Sequence, residues 1–88
     1  MAHCYWEFNC DAGTRFQIDL NSGAMNVMLM DGPNFTAYNS GNEYYFHGGY
    51  YDSTPLVLQA PEDGWWYIVV DNGDADELGP IDAYVQAL

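Results

Sequence analysis

Side chains able to bind a metal or move a proton are few in this chain. His3, Cys4, Cys10 and His47 are zinc-type ligands, but their spacing matches no compact zinc motif, and structural zinc sites hold their ligands in short, regular pairs. If one strand carries Cys4 and Cys10, about 20 Å separates them. A disulfide needs Cα atoms within about 7 Å, so both thiols are expected to be reduced, on one buried face. The stretch Asp71-Asn72-Gly73-Asp74-Ala75-Asp76-Glu77 offers oxygens at alternate positions, as a calcium loop does. Started at Asn72, the helix–loop–helix calcium pattern requires Gly at 77 and Glu at 83; the chain has Glu77 and Ala83, and the pattern fails. His47, beside Gly48-Gly49, is placed to approach Asp52 or Asp31, yet no nucleophile accompanies it. Ser22, Ser40 and Ser53 sit in turn contexts, unlike the strand–turn–helix setting of a nucleophile elbow. A phosphate-cradling loop requires a lysine, and the chain has none. The expectation is a non-enzymatic protein with no catalytic residues, no metal and no cofactor.

The charge is more informative. Thirteen acidic residues face a single Arg15, for a formal net charge of −12 and a pI of about 4.1. A disordered acidic tail is poor in aromatics, whereas 17% of this chain is Phe, Trp or Tyr and 49% is hydrophobic. The chain should therefore fold with its carboxylates outward. Such a surface repels nucleic acid and attracts basic protein. Direct binding of DNA or RNA is disfavoured, since phosphate affinity comes from Lys and Arg.

The elements that position these groups are strands. Cys4, Trp6, Phe8 and Cys10 alternate with Tyr5, Glu7 and Asn9; Phe16, Ile18 and Leu20 alternate with Arg15, Gln17 and Asp19. This period of two marks half-buried antiparallel strands. Met25 to Met30 is apolar apart from Asn26, as in a strand buried on both faces. Tyr44 to Phe46, Leu56 to Leu58, Trp65 to Val70 and Ile81 to Val85 complete the set, with turn signals at Asp11-Ala12-Gly13, Asn21-Ser22-Gly23 and Pro61-Glu62-Asp63-Gly64. Gly48-Gly49 reads as a bulge or a close backbone approach. The acidic loop after Asp71 reads as a solvated hairpin leading to the last strand. Pro33 and Gly41 bracket one short helical turn over residues 33–39. The expectation is a single all-β domain over residues 1–88. It is a small antiparallel β-sandwich or partly open barrel of about seven strands. Its core should hold Trp6, Phe16, Ile18, Val27, Leu29, Leu58, Trp66, Ile68 and Val70.

Within this frame the pattern Asn26-Val27-Met28-Leu29-Met30-Asp31, Asn34-Phe35, Tyr38, Gly41, Tyr44, Gly48-Gly49, Pro55 and Gly64-Trp65-Trp66-Tyr67-Ile68-Val69-Val70-Asp71 resembles an uncharacterised bacterial family, domain of unknown function 1883, from about residue 12 to the C-terminus. The resemblance implies a compact β-sandwich of bacterial or phage origin and no reaction. The resemblance also implies Arg or Lys around the loop tyrosine and after the double glycine, as some members have, where this chain has Asn39, Ser40, Asn42, Glu43, Tyr51 and Asp52.

Two function classes follow. The first is a nucleic-acid mimic, an inhibitor of the anti-CRISPR or anti-restriction kind, that occupies the basic groove of a bacterial nucleic-acid-binding defence complex. Strand carboxylates at i and i+2 lie about 6.7 Å apart, with neighbouring strands about 4.8 Å away, a density suited to imitating phosphates. Glu43, Asp52, Glu62, Asp63, Asp74, Asp76, Glu77 and Asp82 are the expected partner-binding residues. The second is an ordinary interaction or adaptor domain whose acidity serves solubility. The N-terminus lacks a basic region followed by an apolar run, and no stretch approaches the roughly 20 apolar residues of a membrane span. The expected location is the cytoplasm of a bacterial cell, with a phage or mobile element as the encoding source.

Overall fold

The computed structural model describes residues 3–21, 24–71 and 82–88. The order is β1 (His3–Cys10), β2 (Arg15–Leu20), β3 (Met25–Asp31), α1 (Gly32–Ser40), β4 (His47–Tyr51), β5 (Leu56–Gln59), β6 (Gly64–Asp71) and β7 (Ala83–Ala87). A four-stranded antiparallel sheet runs β1-β6-β3-β4, and a three-stranded one runs β5-β2-β7. The result is an all-β sandwich with one short helix, and the barrel alternative is set aside because the two sheets stay separate.

The core forms where the two inner faces meet. Phe16, Ile18, Val27, Leu29, Ile68 and Val70 are fully buried there, with Met25, Leu56 and Trp66 nearly so. Trp6 and Leu58, expected in the core, are half-buried and pack against it. They sit on β1 and β5, the outermost strands of their sheets, which a facing sheet covers on fewer sides. Cys4 and Cys10 occupy the same alternating face of β1 as free, half-buried thiols.

β3 and β6 are apolar on both sides because each is covered twice. Sheet β5-β2-β7 covers one side. On the other, α1 lies against β3 and β6, and Phe35, Tyr38, Tyr44 and Tyr67 close over buried Met28, Met30 and Val69. The helix occupies the predicted turn and extends it by a residue at each end. Asp31 caps its N-terminus by accepting the Asn34 N–H at 3.1 Å, Pro33 fills its first turn, and Gly41 ends it at φ 76°.

Two expectations are corrected. The first concerns Tyr44, Tyr45 and Phe46, which form no strand; β4 starts at His47. The Asn34 side-chain oxygen accepts the Tyr45 N–H at 2.8 Å, and the Tyr44 ring turns edge-on against Tyr38 at 5.1 Å. Local apolar content therefore serves the helix layer here, not a sheet ladder. The second concerns the last connection, which is not a hairpin. β6 and β7 belong to different sheets, and β7 pairs with β2. Every connection except β3–α1–β4 passes between the sheets, so the turn signals mark crossings and not hairpin tips.

Candidate binding surface

The eight expected partner-binding carboxylates do not converge. Glu62 and Asp63 are exposed on the β5–β6 crossing. There the Asp63 carboxylate accepts the Ala12 N–H at 2.6 Å and ties this crossing to the β1–β2 turn. Asp52 and Asp82 are exposed at the opposite end of the sandwich, after β4 and before β7, where the Asp82 carbonyl accepts the Asn21 N–H at 2.8 Å. Glu43 is exposed beyond the C-terminus of α1. Asp74, Asp76 and Glu77 lie outside the described residues. Glu7 on β1 and Asp11 in the following turn, not among the expected partner-binding residues, are also exposed.

Arg15 is exposed at the start of β2 and is the only Lys or Arg in the chain. The carboxylates therefore surround the molecule at both ends and over the helix layer.

Three acidic groups serve the fold. Asp31 caps α1. Asp63 ties two crossings together. Asp71, buried at the end of β6, accepts from the Asn26 side chain at 2.9 Å and from the Tyr38 hydroxyl at 2.8 Å. Burial and the Asp71 carboxylate push the Tyr38 hydroxyl far above its ordinary value, and burial raises that of Tyr44 as well. The residues that carry the family resemblance are thus largely those that seat α1 on the sheet. Asn34 links the cap to the following loop, Phe35 stacks on Tyr67 at 4.3 Å, and Tyr38 anchors the helix to Asp71.

His47 comes to the same end of the sheet as Asp31. Both line a cleft at the end of the four-stranded sheet, together with Asn34, Tyr45, Phe46 and Trp66. Asp52 lies beyond the far end of β4 and is not part of it. The Trp66 ring stands 6.3 Å from that of His47, and its indole N–H donates to the Glu62 carbonyl at 2.9 Å. No signal in the sequence pointed to Tyr45 and Phe46 here, because their place depends on the loop departing from strand geometry. Among the described residues, no three His, Cys, Asp or Glu side chains come together as metal ligands, and no helix is long and apolar enough to cross a membrane.

No curated protein and no solved structure matches the chain. The family described as a domain of unknown function (DUF1883) matches residues 3–87. That span reaches back to include β1, which the motif pattern beginning near residue 12 left out. With nearly its whole length matched, and with the motif residues seating a helix on a β-sandwich, the chain belongs to the DUF1883 family.

Proposed function

We propose that this protein is a non-enzymatic docking domain that binds the basic, nucleic-acid-binding surface of another protein and so excludes nucleic acid, in the manner of inhibitors of bacterial defence complexes. One observation carries this reading. Glu7, Asp11, Glu43, Asp52, Glu62, Asp63 and Asp82 are all exposed on a sandwich whose sequence contains one Lys or Arg. A fixed field of one sign speeds encounter with a basic groove and rejects other acidic surfaces. Exposed Tyr5, Tyr50, Trp65 and Tyr84 add residue types that dominate protein interfaces. In this reading the protein acts in the bacterial cytoplasm and derives from a phage or mobile element.

The spread of carboxylates over both ends of the sandwich favours a second reading, an adaptor whose acidity serves solubility. Competition separates the two. A basic DNA-binding protein captured from bacterial lysate at low salt is bound to labelled DNA, and the chain is titrated in while anisotropy is followed. A mimic displaces the DNA, less effectively as salt rises. The triple variant Glu43→Gln, Asp52→Asn, Glu62→Gln should weaken displacement about tenfold, at roughly 0.5 kcal/mol per rim charge. If no basic protein is captured, or DNA stays bound at saturating chain, the docking reading fails and the adaptor reading stands.

A further inference from the structure

The cleft between the start of α1, the loop before β4 and strand β6 has a volume of about 110 Å³. Pockets for drug-sized ligands run about 300–1,000 Å³, so this one suits the end of a single side chain. The aromatic residues Tyr45, Phe46, His47 and Trp66 line it, and its polar side chains include Asp31, Asn34 and the His47 imidazole. Asn34 is already engaged: its amide nitrogen donates to Asp31 at 2.7 Å, and its oxygen accepts from Tyr45. Asp31 receives the Asn34 backbone and side-chain donors on the same oxygen, Oδ1, and among the described residues the carboxylate's other oxygen keeps its acceptor sites.

This arrangement suits a cation better than an anion. Two of the first-turn donors of α1 that an anion would use are gone, since Pro33 has no N–H and that of Asn34 is given to Asp31. Aromatic faces attract ammonium groups, more strongly when the site is partly desolvated. The geometry also separates the two basic side chains. A guanidinium binds best through a two-oxygen fork, and one Asp31 oxygen is already occupied twice. An ammonium requires only one oxygen.

We infer that this cleft binds the ε-ammonium end of a lysine side chain, with the charge against Asp31 Oδ2 and the methylenes between the aromatic walls. The inference rests on the docking reading only for the source of that lysine, a basic partner protein; the chemistry of the cleft stands apart from it.

The test titrates the ¹⁵N-labelled full chain with Nα-acetyl-lysine methylamide and with its Nε-acetylated, uncharged counterpart. The Trp66 indole N–H and the His47 amide report from the cleft. Saturable shifts with the charged probe alone are expected. Asp31→Asn keeps a capping oxygen while removing the charge, and should weaken binding about tenfold. Tyr45→Ala removes the ring of an exposed residue while keeping the backbone donor to Asn34, and should weaken binding about threefold. Equal shifts with the uncharged probe, or an Asp31→Asn titration matching the parent, would overturn the inference. If Asp31→Asn does not fold, the comparison of the two probes on the parent decides alone. Capture of a basic partner that Asp31→Asn leaves unchanged would refute lysine insertion and leave docking standing. Amine binding without displacement of DNA would uphold the cleft and refute the docking function.

Discussion

Gly48 shows how little freedom some single positions have. Its φ of 131° is open to glycine and strained for other residues, and a Cβ there would run into the Val27 carbonyl oxygen across the β3–β4 ladder. Gly48→Ala is expected to cost about 2 kcal/mol or more, read as a lower urea midpoint at unchanged slope. Tyr38 makes a different kind of point. Its hydroxyl donates to Asp71, and burial followed by that bond holds it neutral well above the ordinary value of 10.0. The sign follows from proton counting. Above about pH 10 the unfolded chain releases the tyrosine proton while the native chain keeps it, so stability falls as pH rises. Below that pH the contribution is fully present. Tyr38→Phe should lose about 1 kcal/mol at neutral pH and should decline less steeply above pH 10 in urea titrations. Tyr44, raised in the same direction, keeps part of the slope in place.

α1 is the element on which the family pattern converges, and its ends are set by the Asp31 carboxylate on one side and the left-handed backbone of Gly41 on the other. Asp31→Ala removes the cap and should cost about 1 kcal/mol, whereas Asp31→Asn should melt within a few degrees of the parent. Gly41→Ala places a Cβ at φ 76° and should also cost about 1 kcal/mol. Either loss loosens the aromatic layer over Met28, Met30 and Val69. The near-UV circular dichroism of Tyr44 and Tyr67 should therefore weaken before the far-UV strand signal does. A near-UV spectrum that melts in step with the strands would show that helix and sandwich form one cooperative unit.

At the scale of the whole molecule, uncompensated charge sets the solution behaviour. A net charge of −12 on a chain of 88 residues opposes compaction through self-repulsion, and salt screens it as the Debye length falls from about 30 Å at 0.01 M to 8 Å at 0.15 M. Thermal stability should rise over that range by about 1 kcal/mol, roughly 4–8 °C for a domain of this size. A melting temperature indifferent to salt would mean that the carboxylates are too dispersed to repel one another, and would favour the adaptor reading over the mimic.

Sequence alone determined the elements whose signal is local. The period of two in β1 and β2 fixes which side chains face inward whatever the partner strand, and Pro33 and Gly41 bound α1 through backbone geometry that those residues impose by themselves. The all-β class, the doubly buried Met25–Met30 strand and the negative field were legible for the same reason. Tertiary structure decided everything that depends on long-range pairing. β6 lies between β1 and β3, residues far away in the chain, so neither the sheet order nor the crossing character of the turns is written in any short window. Tyr44 to Phe46 have the composition of a strand, and only the Asn34 side chain, reaching across from α1, turns them into a cleft wall. The gathering of Asp31, His47 and Trp66 around one cleft likewise requires three strand ends to coincide, a coincidence that packing creates and residue spacing does not encode.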